Sequence, residues 1–330
     1  KSVQFLWNEL KKNGDIYLSK YSGWYSVSDE AFYNDDEIED LDNKKVAISS
    51  KSLVEWVDEE SYFFKLSKWE KPLLKFYKDN PDFISPKSRK NEVISFVKSG
   101  LKDLSVSRKS FSWGIKVPHD DKHVIYVWLD ALTNYMSALN YPQVDDELFK
   151  KFWPASIHLI GKDILRFHAI YWPAFLLAAK ITPPKKVFGH GWILSNEEKM
   201  SKSKGNILDP IEIIDQYGLD PLRYYLIKEV SFGNDGNISQ DKLEDCINSD
   251  LANNFGNLCQ RVISFTIKNC SGKIPEKINF EKDDLNILNK YKENLSKIRL
   301  EIDNQNINFY IDYIISSLFE ANKYFNDQEP

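Results

Sequence analysis

Cysteine is scarce in this chain. Cys246, Cys259 and Cys270 are the only three in 330 residues and form no C-x-x-C pair. That excludes a disulfide-stapled scaffold and a cysteine-built zinc knuckle, and fits reduced thiols in the cytoplasm. Long hydrophobic runs are missing as well: no stretch of eighteen apolar residues occurs, so no membrane-spanning helix is expected. No cleavable signal opens the chain, whose first residues read as an amphipathic helix entered in mid-course. Positive charge does not predominate, since 44 Lys and Arg face 49 Asp and Glu for a net charge of -5. A protein that coats nucleic acid is thereby disfavoured, while local basic patches remain open. Residues 15–64 contain neither cysteine nor histidine, so soft metal ligands are lacking there.

The material for a substantial core is present. Hydrophobic residues make up 42% and aromatics 14%, enough for two or three domains. Val3, Leu6, Trp7 and Leu10 predict a helix that stops at Asn13-Gly14. From Tyr17 to Phe64 the period shortens to strands around Ile16, Gly23, Val46 and Trp56, with the acidic run from Asp35 to Asp40 as a solvated turn. Residues 65–107 read as helices, with Asp82 or Ser85 as a cap. His123 to Trp128, 157–160 and 186–188 read as buried strands alternating with helices. That pattern predicts a parallel α/β sheet with its ligand at the carboxyl ends of the strands. His119 and His123 stand four apart, a metal-ligand spacing, but Pro118, Asp120 and Asp121 favour a loop, and no metal site is expected. Asp209-Pro210 and Asp220-Pro221 each predict a helix start. From Ser239 the chain reads as helical, with an apolar stripe through Leu243, Ile247, Leu251, Phe255, Leu258, Val262 and Phe265. Two further helices, through Leu288 to Ile302 and Ile307 to Leu318, complete an antiparallel bundle.

One stretch stands apart. Lys199-Met200-Ser201-Lys202-Ser203-Lys204-Gly205-Asn206 places three lysines, two hydroxyls and a glycine in eight residues. It offers ammonium and backbone N–H groups to a polyanion. Most such runs are solvated loops. The order Lys-Met-Ser-Lys-Ser, however, arises by chance in roughly one chain of this size in ten thousand. Gly161 and Asp163 form a strand-to-helix turn, where glycine permits close backbone approach and a carboxylate can accept from two ribose hydroxyls. A helix N-cap is the other reading of Asp163.

The lysine run resembles the second signature of class I aminoacyl-tRNA synthetases, whose mobile loop holds the triphosphate of ATP. Trp128-Leu-Asp-Ala-Leu-Thr-Asn-Tyr135, His158-Leu-Ile-Gly-Lys-Asp163, Phe167-His168-Ala-Ile-Tyr-Trp172-Pro and this run look like the methionyl-tRNA synthetase family in order and spacing. Asp250-Leu-Ala-Asn-Asn-Phe-Gly-Asn-Leu258 and Arg261 extend the match over nearly the whole chain. Leucyl, valyl, isoleucyl and cysteinyl synthetases share the lysine run but are not expected to share the aromatic and histidine set. The resemblance implies that Trp128, Ala131, Leu132, Tyr135, Phe167, His168 and Trp172 line a methionine site. Leu132 stands where proline is often found. An unbranched thioether asks for polarisable contact and one weak hydrogen bond, which three aromatics and the Tyr135 hydroxyl can supply. His168 can orient Tyr135 or sense the side chain. Each aromatic alone is ordinary core.

The resemblance further implies ATP binding by Gly161, Asp163, Ile193, Lys199, Met200, Ser201, Lys202 and Ser203, with Mg2+ accompanying the nucleotide. Lys199, Lys202 and Arg108 are its catalytic candidates, although Arg108 has a structural ion pair as an equal alternative. Asn257 and Arg261 match positions that touch the anticodon of tRNA(Met), on a polar stripe with Asp250 and Asn253. His158-Leu-Ile-Gly161 imitates the family's first signature without its second histidine, and the true first signature is absent. The expected fold class is α/β plus all-α: a partial Rossmann-like parallel sheet, a small inserted β-rich domain without zinc ligands, then a helical bundle. The expected boundaries are 1–14 (remnant helix), 15–64 (insertion), 65–232 (catalytic domain) and 233–330 (incomplete anticodon-binding bundle). The expected activity is ATP-dependent charging of tRNA(Met) with L-methionine in the cytoplasm, by a longer protein of which this piece alone is silent. The alternatives are another synthetase of the class, or a non-catalytic tRNA-binding derivative.

Overall fold

The computed structural model describes residues 1–26, 31–33, 35–41, 44–48, 50–110, 112–195, 197–200, 207–274, 276 and 279–328. It divides into two compact units, Lys1–Gly189 and His190–Pro330.

In the first unit, α1 (Ser2–Lys12) buries the four apolar residues that predict it and ends at Asn13, with Gly14 at a φ of 75°. β1 (Ile16–Ser26) is one long strand. It pairs with β2 (Ala31–Tyr33), while β3 (Ile38–Leu41) and β4 (Lys44–Ala47) form a separate antiparallel ladder. The acidic run is thus a turn only at Asp35–Glu37 and then becomes strand. Lys45 on Asp40 at 2.8 Å, and Lys51 on Glu39, offset its like charges. β5 (Glu55–Phe64) pairs antiparallel with β1 from Ile16↔Phe64 onward.

α2 (Glu70–Asp79), β6 (Ile84–Ser85) and α3 (Lys87–Lys98) follow. The N-cap of α3 is Pro86, so neither Asp82 nor Ser85 caps it. β7 (Leu104–Ser105) extends the β1–β5 sheet. β8 (Ser107–Arg108), β9 (Lys116–Val117) and β10 (Asp120–Ile125) form an antiparallel sheet with β10 in the centre. The strand expected from His123 to Trp128 therefore ends at Ile125 and does not join a parallel sheet. His119, at a φ of 67°, closes a two-residue turn that pairs Val117 with Asp120, and a local antiparallel hairpin needs no crossover. α4 (Val127–Ser137) begins two residues later.

After α5 (Glu147–Phe152), β11 (His158–Gly161) leads through a helical run to α6 (Trp172–Ala178) and β12 (Val187–His190). β12 lies between β11 and β6 and pairs with β6 in parallel, Val187 against Ile84. The parallel element is therefore real but smaller than the sequence suggests, and one of its strands is the two-residue β6 hidden between helices. The helical run includes a π-helix at Phe167–Tyr171. Pro173, just beyond it, has no N–H to give to the carbonyl four residues back. That carbonyl, on Ala169, accepts from the Tyr77 hydroxyl at 2.6 Å instead.

The second unit opens with a hairpin of β13 (Ile193–Ser195) and β14 (Glu198–Lys199). α7 (Pro210–Tyr217) is capped by the Asp209 carboxylate, which accepts from the Ile211 N–H at 2.8 Å. α8 (Leu219–Glu229) starts directly after Gly218, two residues before Pro221. β15 (Gly236–Ile238) pairs with β13 in parallel. Ser239 caps α9 (Gln240–Cys246), and a π-helix at Ile247–Gly256 separates it from α10 (Asn257–Asn269). α11 (Lys282–Asp303) and α12 (Ile307–Asp327) complete the bundle.

The stripe expected along these helices is displaced. Leu243, Cys246, Asp250 and Asn254 are buried, while Phe255 and Val262 are exposed. The i→i+5 bonds of the π-helix widen each turn and shift the phase of every residue beyond it. Asp250 consequently faces inward, accepting from Tyr224 at 2.6 Å and from Lys228. Asn254 donates to the Ile315 carbonyl at 3.3 Å, and its Oδ1 accepts from Asn322 at 2.9 Å. Among the described residues no helix is long and apolar enough to cross a membrane.

Tyr77→Phe removes the side-chain donor from the buried Ala169 carbonyl. Urea denaturation should then show a loss of about 1–3 kcal/mol. Unchanged stability would mean that the π-helix does not depend on that bond.

Candidate functional site

Trp128, Ala131 and Tyr135 recur at i, i+3 and i+7 on α4 and share its less buried face. Leu129, Leu132, Thr133 and Met136 fill the opposite, buried face. Leu132 is 1% exposed and lies on that buried face. One position along a helix turns a side chain by about 100°, which separates Leu132 from Ala131.

The helical run after β11 brings Phe167 and His168 against that face. Trp128 and Phe167 stack with ring centroids 3.7 Å apart and 13° between planes. The Tyr135 hydroxyl is 2.8 Å from His168 Nε2, and His168 Nδ1 is 3.0 Å from the Ile164 carbonyl oxygen. A carbonyl only accepts, so Nδ1 carries the proton. In a neutral imidazole Nε2 must then accept, and the Tyr135 O–H donates to it. Burial pushes the His168 pKa down, although its backbone bond to Ile164 opposes this. The neutral form and this direction of donation are therefore favoured. His168 orients Tyr135, and the single phenolic proton expected for a thioether is committed to His168 in this arrangement.

Behind Tyr135 lies a residue that the sequence reading used only as an imitation of a signature. The His158 ring stacks on the Tyr135 ring at 4.1 Å and 27°. The alternation in β11, with His158 and Ile160 buried and Leu159 exposed, is the signal that could have found it. Burial, and secondarily the neighbouring His168, push its pKa down to about 4. Trp172 is fully buried, its ring 6.2 Å from that of Trp153 at 73° between planes.

Gly161 is the N-cap of the short helical turn Lys162–Ile164, so Asp163 lies within that turn and does not cap it. Asp163 is exposed at the end of β11. Arg108 is 4% exposed. Its Nη1 donates to Ser105 Oγ and the Ser107 carbonyl, both at 2.8 Å. The guanidinium lies 4.4 Å from the Tyr126 ring centroid and 5.3 Å from that of Tyr25. These contacts are neutral ones.

In the second unit, Gly191 lets the chain pass the Asn234 backbone so closely that a Cβ would lie 2.2 Å from it. The Lys199 ammonium on β14 is 3.9 Å from the Trp192 ring centroid, a cation–π distance. Ile193 is exposed on β13. Met200 packs against the cluster of Tyr225, Ile238, Leu243 and Cys246. Ser201, Lys202 and Ser203 lie outside the described residues. On α10, Asn257 is exposed. Arg261 bonds Asn326, and its guanidinium lies 4.7 Å from the Phe325 ring centroid. His119 is exposed in its turn and His123 is buried in β10. Among the described residues no group of three or more His, Cys, Asp or Glu is placed to hold a metal ion.

The family model described as tRNA synthetases class I (M) matches residues 37–263. The methionine–tRNA ligase of Brucella melitensis biotype 1 is 51% identical over 330 residues, covering 100% of this chain and 64% of the relative. That of Mycobacterium leprae is 48% identical over 332 residues, covering 100% and 62%. The Mycobacterium tuberculosis methionyl-tRNA synthetase in complex with methionyl-adenylate superposes with a TM-score of 0.95 at 46% identity, over all of this chain and 65% of that one. Its free form gives 0.94 and 44%, with 64% of that chain covered. The chain thus spans just under two thirds of these relatives.

The two buried imidazoles make stability depend on pH. His158 titrates near 4 when folded, against 6.5 in an open chain, so the unfolded state takes up protons between those values and the folded state does not. The His158 contribution is full above about pH 6.5 and declines with acidification by roughly 1.4 kcal/mol per pH unit down to about 4, and His168 acts in the same direction. His158→Phe should flatten the fall in melting temperature over that range. An unchanged slope would refute a buried neutral His158.

Proposed function

Because the chain belongs to the class I tRNA synthetases of the (M) type, we propose that its full-length protein is a methionine–tRNA ligase of the cytoplasm. It activates L-methionine with ATP and transfers the methionyl group to tRNA(Met). The observation that carries this reading is the neutral aromatic cluster, in which the Tyr135–His168–Ile164 hydrogen-bond chain sits beside the Trp128–Phe167 stack. Trp128, Ala131, Tyr135, Phe167, His168 and Trp172 offer an unbranched thioether polarisable walls with no charge, and Leu132 supports them from the core.

In the first step the methionine carboxylate attacks the α-phosphorus of ATP. A carboxylate O–P bond forms, and the bond to pyrophosphate breaks. In the second, a ribose hydroxyl of tRNA attacks the methionyl carbonyl, and AMP leaves. Negative charge grows on the phosphate oxygens and on the departing pyrophosphate, so fixed cations lower the barrier. Lys199 and Lys202 supply them, and Mg2+ enters with the nucleotide. Ser201, Ser203 and the Met200 backbone add hydrogen-bond donors, and Ile193 lies against the base. Gly161 and Asp163 serve the ribose. Arg108, held by two serines and two phenol faces, positions β8 more than it meets substrate. Asn257 and Arg261, four apart on α10, read anticodon bases through their hydrogen-bonding edges. Residues 15–64 offer zinc neither cysteine nor histidine.

Amino-acid-dependent ATP–pyrophosphate exchange by the full-length protein tests this. Methionine should be activated in preference to leucine and isoleucine. Lys202→Ala should lower the rate by about a hundredfold or more, the usual size for one lost transition-state contact. Asn257→Ala should leave exchange near normal and impair tRNA charging. Better activation of leucine or isoleucine would overturn the methionine assignment. Binding of tRNA without exchange for any amino acid would make the protein a non-catalytic tRNA binder.

A further inference from the structure

His158 has no part in the chemistry above, yet it is a fully enclosed polar side chain. It is 4% exposed, and neither ring nitrogen has a hydrogen-bond partner among the described residues. A buried polar group left unpaired costs about 1–3 kcal/mol, and an aliphatic side chain would fill the space without that cost. Its surroundings show what the ring supports. The His158 N–H donates to the Lys186 carbonyl at 2.8 Å, which fixes the start of β11. The ring has the edge of His168 at 6.1 Å and 88°, Trp153 at 6.2 Å and 54°, and the face of Tyr135 at 4.1 Å and 27°.

Tyr135 needs such a neighbour. The oxygen of a phenol lies on the axis through its Cβ, Cγ and Cζ, so the bond from Tyr135 to His168 fixes the oxygen without fixing the ring plane. Rotation about that axis is soft, because the terminal torsion of tyrosine is broad. Tyr135 is only partly buried, so the core does not lock it on every side. A flat partner on one face removes this freedom, and imidazole is the smallest side chain that is both planar and aromatic. Burial keeps it neutral, so the stack sets no cation beside the accepting Nε2 of His168.

We propose that His158 is a positioning residue for amino-acid selection: its ring face fixes the plane of Tyr135, and so the shape of the wall that Tyr135 presents to the methionine side chain. The selection role rests on the methionine reading of this cluster, while the effect on Tyr135 does not. A ligand-binding group about 1 Å out of place loses much of its effect, and a supporting contact is what prevents such slack.

Two variants of the full-length protein separate a flat support from simple space-filling. His158→Leu fills the space without a planar face, and His158→Phe restores one. In methionine-dependent exchange, H158L should raise the KM for methionine by about tenfold, with kcat within about threefold and the KM for ATP unchanged. Its preference for methionine over norleucine should narrow. H158F should return the KM to within about threefold of the parent. A merely structural role would lower kcat in proportion to folded protein and leave the KM alone. The flip rate of a selectively labelled Tyr135 ring, measured by NMR, should rise in H158L and not in H158F. A parent-like KM and flip rate in H158L, or equal effects of the two variants, would overturn the proposal. A parent without methionine-dependent exchange would strike the functional reading instead, and the flip rates would still decide what His158 does to Tyr135.

Discussion

A missing hydrogen-bond donor governs the local geometry of the aromatic cluster. Pro173 cannot supply the N–H that the Ala169 carbonyl would receive in a continuous helix. The helical run opens into a π-helix at Phe167–Tyr171, and Tyr77 takes the orphaned carbonyl. The wide turn presents Phe167 to Trp128 and His168 to Tyr135 from adjacent positions. One further carbonyl, that of Ile164, then sets the His168 tautomer and so the direction of the Tyr135 proton. Backbone satisfaction, ring orientation and proton placement are thus links of one chain, and single-turn π-bulges are often found where function requires such an offset.

The two units contribute opposite chemistries. The cluster of the first is neutral, because burial depresses both imidazoles and raises the Tyr135 hydroxyl. Such a surface suits a thioether and offers nothing to a charged or strongly hydrogen-bonding side chain. The hairpin of the second unit carries Lys199 into the lysine run, where ammonium groups suit phosphate. Under the proposed function, selection of the amino acid and stabilisation of the leaving group fall to residues of different units.

Local signals in the sequence were legible. The stripe of α1, the helix start at Asp209-Pro210 and the onset of helix at Ser239 all depend on neighbours within one turn, and all are found as read. What depended on distant partners was not. β6 is two residues long and exists through its pairing with β12. The antiparallel setting of β10 comes from a turn that places a histidine at positive φ. The apolar stripe after Ser239 was extrapolated at 3.6 residues per turn, and the π-helix made that period wrong from Ile247 onward. Trp128, Tyr135, Phe167 and His168 stand out through their resemblance to a known family, and the structure brings them into contact. Leu132 could not be told from Ala131 without the helix phase, and His158 was hidden because its role lies in a ring contact with α4.

The direction of the Tyr135–His168 hydrogen bond can be observed directly. Nitrogen-15 chemical shifts of labelled His168, at about neutral pH and without ligand, distinguish its two tautomers and its charged form. The expected spectrum has a protonated Nδ1 and a bare, hydrogen-bond-accepting Nε2. A proton on Nε2, or an imidazolium with both nitrogens protonated, would contradict it and return the Tyr135 hydroxyl to the ligand as a free donor.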